Sequence, residues 1–177
     1  MTAERPLTAA NFVVRLVETA SPVSAVLSSI LPAPDTGFSE CSGLEATMTV
    51  DEYAEGGRNA GVLKFPGRVK HPNIKLRRGV TSSLDLWQWH EDFLRGRGRR
   101  RDGIIQLLND TGDVVRSWRF QRGILTRWAG PPVNALGSQI AIEEIEIAHE
   151  GLIVRSLGAA GEIAATISSV AESFGRL

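Results

Sequence analysis

Apolar and polar positions alternate along most of this chain, so strands are predicted before helices. Phe12, Val14 and Leu16 share one parity within residues 12–19, as on one face of a strand. An apolar patch, VSAVLSSIL (23–31), lies between Pro22 and Pro32, with Pro34 beyond; a brief helix or a packed loop fits it. Strand character returns over 38–54, with Met48 and Val50 on one parity, and runs into the acidic, glycine-rich DEYAEGGRN. VLKF (62–65) precedes Pro66-Gly67, which reads as a turn. Ile74 and Leu76 alternate in a further strand over 73–79.

One helix stands out. Ser82 is placed as its N-cap, with Asp85 three positions on among the exposed first-turn amides. Leu86, Trp87, His90, Phe93 and Leu94 then form its apolar face. Beyond the arginine-rich 95–103, strands are predicted in GIIQLLND, DVVRSWRFQRG and GILTRWAGPP, with a turn at Asp110-Thr111-Gly112. Residues 138–150 carry a conflict of parity: Ile140 and Ile142 fall on one, Ile145 and Ile147 on the other. Strict alternation forbids one face for all four. A bulge near Glu143-Glu144 is expected, or a strand buried on different sides at its two ends, as in strands that pass between sheets. Ile163, Ile167, Val170 and Phe174 then recur at helical spacing. The fold class is mainly β (α+β): an antiparallel β-sandwich or barrel flanked by one internal helix, with a C-terminal amphipathic helix. The expected division is an N-terminal arm (1–11), a β domain (12–152) and a helical extension (153–177).

Composition narrows the function classes. The chain has 177 residues with 20 basic and 20 acidic side chains, enough for one self-sufficient domain. Zero net charge argues against a protein built chiefly to hold nucleic acid. The lone Cys41 excludes an intrachain disulfide and a two-cysteine zinc site. No stretch is long and apolar enough to cross a bilayer, and residues 1–12 lack a signal-peptide core; a soluble protein, assembled in the cytoplasm where it is made, is expected.

Candidate chemistry is sparse. His71, His90 and His149 form no close-spaced ligand set, and His90 reads as a core or boundary residue. Cys41 has no local base to make it a nucleophile. Gly56 to Gly61 has the glycine interval of a phosphate loop, but Val62-Leu63 stands where lysine and a hydroxyl are needed. Asp51, Glu52 and Glu55 match no calcium-loop pattern. Arg95, Arg97, Arg99, Arg100 and Arg101 form the main charge run. No aromatics are interleaved to stack bases, so a solvated loop, or a patch meeting an acidic surface, suits the run better than nucleic acid. No catalytic residue, metal or cofactor is expected.

The order of GFSECSGLEATMTVDEYAEGG, LKFPGRVKHPNIKLRRG, LWQW, IIQLLNDTGDVVRSWRF and RWAGPPVNALGSQIAIEEIEIAHEGL strongly resembles the tail tube protein family of contractile phages and phage-derived contractile injection systems. The likeness spans about residues 12–152. It implies a structural protein that forms six-membered rings stacked into a hollow tube. Sheath, baseplate and spike proteins are the implied partners, with possible cargo in the lumen and no membrane anchor. A loop between early strands, about 51–70, would reach the adjacent ring, giving Asp51, Glu52, Tyr53, Glu55, Gly56, Gly57, Arg58 and Asn59 a stacking role. The alternative is a tube-initiator or baseplate-end paralogue, in keeping with the long segment before GFSE and the extension after HEGL; the 163/167/170/174 stripe would then dock on a partner. A nucleic-acid-binding role for the arginine loop is a third reading.

Overall fold

A computed structural model describes residues 11–18, 37–56 and 61–156. In chain order it contains β1 (Phe12–Glu18), β2 (Phe38–Ser42), β3 (Thr47–Tyr53), β4 (Leu63–Lys70) and β5 (Ile74–Gly79). Then come α1 (Asp85–Leu94), β6 (Arg101–Leu108), β7 (Val114–Ala129), β8 (Ile142–Ala148) and β9 (Gly151–Ser156). All strand pairings are antiparallel. The mainly β, antiparallel class is as expected. The predicted terminal stripe (Ile163, Ile167, Val170, Phe174) lies outside the described residues, and so do the 23–31 patch and the N-terminal arm up to residue 10. β9 carries strand structure on to Ser156.

The long β7 organises the body. Its first part pairs with β6 on one side and β9 on the other, and its last part, from Ile124, pairs with β8. β8 continues to β5 and β5 to β2. The two halves are thus joined through one strand and are not closed into a barrel; β1, β2 and β9 are left as edges among the described strands.

The crossing point is Arg122-Gly123. Arg122 adopts a left-handed backbone (φ 54°), and the Asp102 carboxylate accepts its amide hydrogen at 2.8 Å. A Cβ on Gly123 would sit 2.7 Å from the Phe120 ring and 2.8 Å from the Arg101 carbonyl, so only glycine lets the strand bend there. Val14, Ile105 and Phe120 from one half meet Ile74, Leu76, Leu125, Ile145 and Ile147 from the other in a single buried cluster, with Leu86 and Trp89 of α1.

Four sequence expectations need correction. The helix N-cap is Leu84, without a side-chain cap, rather than Ser82; Ser83 Oγ accepts the Asp85 amide hydrogen instead. The buried helical face is Leu86 and Trp89, with Phe93 packed beside them. Trp87 is half-buried, edge-on to Trp128 at 4.9 Å, and Leu94 is 70% exposed. Pro66-Gly67 is no turn, because β4 runs straight through it. Its pairing with β3 shifts register there, which accommodates a proline with no amide hydrogen to give.

The parity conflict at 138–150 also resolves differently. β8 pairs with β5 without a register shift, and its core-facing residues are Glu143, Ile145 and Ile147. Ile140 lies outside the strand, 81% exposed. The strand that passes between two halves is β7, and the irregularity beside β8 lies in β7, between Leu125 and Arg127.

Trp89 donates its indole hydrogen to the Arg99 carbonyl at 2.8 Å and lies under the Arg101 guanidinium at 4.8 Å. Trp89→Ala should therefore lower stability by about 3–5 kcal/mol, with a smaller loss for Trp87→Ala. Denaturant midpoints measure both; equal losses would place both rings in the core.

Candidate assembly surfaces

β3 and β4 form a two-stranded sheet of their own and, among the described residues, make no extensive contact with any other element. Such a hairpin is marginal in water unless something covers it. Directly opposed residues lie on one face. Met48 opposes Val69 and Val50 opposes Pro66, followed toward the tip by the Glu52–Lys64 pair, an ion pair at 3.7 Å. On the other face Thr47 opposes Lys70 at the root, while Asp51–Phe65 and Tyr53–Leu63 lie toward the tip. Each face therefore has an apolar half and a polar half, in opposite order.

The apolar members are open to solvent. Met48, Val50, Tyr53, Phe65 and Val69 are all more than half exposed. Gly67 permits the tight pairing of the two strands: a Cβ there would fall 2.4 Å from Thr49 Oγ1, the oxygen that accepts the Arg68 amide hydrogen.

Of the predicted stacking residues, Asp51, Glu52 and Tyr53 close β3, and Glu55 and Gly56 are exposed beyond it; Gly57, Arg58 and Asn59 lie outside the described residues. The sequence reading took in the 51–70 segment but named individually only residues of its acidic, glycine-rich part (51–59), and not the apolar Val50, Leu63, Phe65 and Val69. The available signal was period-two apolarity on both parities in a segment where a half-buried strand has it on one.

The arginine run is largely balanced from within. Arg95 pairs with Glu91, Arg97 with Asp92, Arg100 with Glu150, and Arg101 bidentately with Asp85. Arg99 contributes its carbonyl to Trp89. The outward face of β2, β5, β8 and β7 is balanced too: Arg77 binds Glu40 and Glu144, Lys75 binds Glu146, and Arg127 binds both Glu144 and Glu146. Exposed pairs of this kind add little stability one by one. They do leave that face with its charges already matched, unlike the hairpin, whose apolar groups have no cover among the described residues.

Among the described residues no group of three or more histidine, cysteine or acidic side chains could hold a metal ion. Burial pushes the Cys41 thiol up to about 11, the reverse of what a nucleophile needs. The His90 ring meets the Leu125 carbonyl at 3.2 Å, as a boundary histidine would. No described helix is long and apolar enough to span a membrane.

A family model for the T4-like virus tail tube protein gp19 matches residues 8–153. The chain belongs to this tail tube family. The resemblance seen in the order of its segments is thereby borne out. Among solved structures, a chain of an extracellular contractile injection system, the PVC sheath-tube complex in its extended state, superimposes with a TM-score of 0.72 at 24% identity, covering 88% of this tail tube protein and 95% of that chain. A chain from the anti-feeding prophage baseplate gives 0.72 at 24%, covering 86% and 97%. One from the tube-terminating cap of the same particle gives 0.73 at 23%, covering 89% and 95%. No curated protein matches. At these identities the structural likeness concerns the fold, and the tail tube fold is what they share.

Proposed function

We propose that this protein is the inner tube subunit of a contractile injection particle, a structural element without catalytic activity. Copies join edge to edge in six-membered rings, and rings stack into a hollow tube inside a sheath, ending on a baseplate and spike. The carrying observation is the uncovered β3–β4 hairpin with its two offset apolar patches. A monomer would leave that surface in water, where it favours association. A tube offers two different neighbours to its two faces. The edges at β1, β2 and β9 support the same reading, since exposed edges invite pairing and ring closure removes them.

The arginine segment keeps a place in this reading as a contact for an acidic partner surface, which would exchange with the carboxylates its arginines already hold. Assembly in the cytoplasm and cargo carried in the lumen complete the proposal.

Electron microscopy of the purified chain tests it. Six-fold rings and stacked tubes are expected, and compact monomers at all concentrations would refute it. Rings that stop at one layer would assign the chain to the end of a tube, as an initiator, in place of its length.

A further inference from the structure

The hairpin joins the body only through two short legs, residues 43–46 and 71–73, and what fixes those legs fixes where the hairpin points. The first leg leaves β2 at Gly43, whose left-handed backbone (φ 85°) presses on Asn73 of the second; a Cβ there would fall 2.3 Å from the Asn73 carbonyl oxygen. The second leg begins with His71, which stacks on His149 in the β8–β9 turn, ring centroids 5.3 Å apart and planes tilted by 40°. His149 rests in turn on the core residue Phe120, at 5.9 Å. Its Nδ1 donates to the Gly151 carbonyl at 3.0 Å. His71 Nδ1 is buried without a hydrogen-bond partner among the described residues.

We propose that His71 and His149 form a proton-sensitive latch at the root of the hairpin: neutral, they stack and hold its direction; protonated, they repel and free it. This rests on the stacking role assigned to the hairpin above and adds its regulation. The groups around the pair offset the charge only in part: the Gly151 and Pro72 backbones favour a protonated His149, and burial outweighs them. Phe120, from β7, is neutral, and so are Pro72 and Asn73 on the leg itself. Lys70 precedes His71 at the end of β4 and is exposed to solvent. Glu150 follows His149, but its two oxygens are taken by Arg100 at 2.5 Å and Arg122 at 2.8 Å.

The direction of the effect follows from linkage. Burial holds His149 below the ordinary histidine value; its backbone bond to Gly151 opposes this, charge on His71 adds to it, and a weaker pull from the Pro72 backbone opposes it. A closed latch therefore binds protons less readily than an open one. Its stability is fully present above the unperturbed histidine value of about 6.5 and is lost as pH falls through the lowered one.

Spin labels test the latch in the unassembled chain, where no stacking intervenes. With cysteines at E55C and Q88C in a Cys41→Ser background, only the two placed thiols take the label. The label-to-label distance distribution should be narrow at pH 7.5 and broaden or shift by pH 5.5. In a His71→Phe background, which keeps an aromatic ring but removes one charge, the transition should shrink or disappear. His149→Gln gives the same result by a second route if the first variant folds poorly. A wild-type distribution unchanged between the two pH values would overturn the latch, and so would an undiminished transition in both variants. If the hairpin moves with pH while tubes form normally with a disabled hairpin, the latch stands and the stacking role fails.

Discussion

Replacing Glu143 with alanine should destabilise the fold by about 3–5 kcal/mol, because it strands a buried guanidinium that cannot shed its charge. Arg78 and Glu143 oppose each other across β5 and β8, with side chains 3% and 8% exposed and Nε 2.5 Å from Oε1. The Trp128 indole donates to the second carboxylate oxygen at 2.9 Å, and Trp128 meets Trp87 of α1. On the far side the Phe38 ring lies 6.0 Å from the Arg78 guanidinium. The pair thus ties β2, β5, β8, β7 and the helix together through one polar chain beside the apolar cluster. Arg78→Met should cost less than Glu143→Ala, since a lone carboxylate can take up a proton. The double variant Arg78→Met/Glu143→Leu should recover much of the loss, as buried pairs replaced whole by apolar groups often do. Urea unfolding of the three variants checks this; additive losses in the double variant would mean the two residues do not act as a pair.

Val50→Asp with Phe65→Asp should abolish tubes while leaving the monomer folded. The two residues belong to opposite faces of the hairpin and are 53% and 51% exposed. Changes at such uncovered sites usually stay within about 0.5 kcal/mol of wild type for a single chain. In a stack, each would place a carboxylate in an apolar contact, where an unpaired charge is strongly disfavoured. The expected outcome is an unchanged β circular-dichroism signal and unfolding midpoint, with no tubes by microscopy. Normal tubes would remove the hairpin from the stacking contact, and an unfolded variant would show that the hairpin supports its own domain.

How much of this was legible depended on whether the partner of each apolar residue lies in the same chain. Val14, Ile74, Leu76, Ile145 and Ile147 alternate as core strands must, and the structure buries all five. The Asp110–Gly112 turn was readable from its residues, and Gly112 does take a positive φ. The helix was legible as an element but its face was set one row off. Leu86, Trp87, Phe93 and Leu94 form one plausible stripe, and choosing between Trp87 and Trp89 needs to know that the Arg99 carbonyl awaits an indole hydrogen.

Arg122-Gly123 looked like the end of a strand, because a strand that bends between two sheets uses the same residue types as one that stops. Glu143 was obscured for another reason. A carboxylate on a core parity reads as the outer face until its arginine, 65 positions away, is known to be opposite. The hairpin was hardest to assign. Apolar residues on both parities, Met48 and Val50 on one face and Phe65 on the other, signal two faces that want cover, but the pattern is the same whether this chain or another copy supplies it.

A high-resolution reconstruction of the assembled tube tests the central claim most directly, by showing where residues 47–70 lie. The prediction is that Tyr53, Leu63 and Phe65 near the tip are buried on a subunit of the adjacent ring, with Met48, Val50 and Val69 covered by a different copy. A tube whose rings stack through other surfaces, with this hairpin left in solvent, would contradict it.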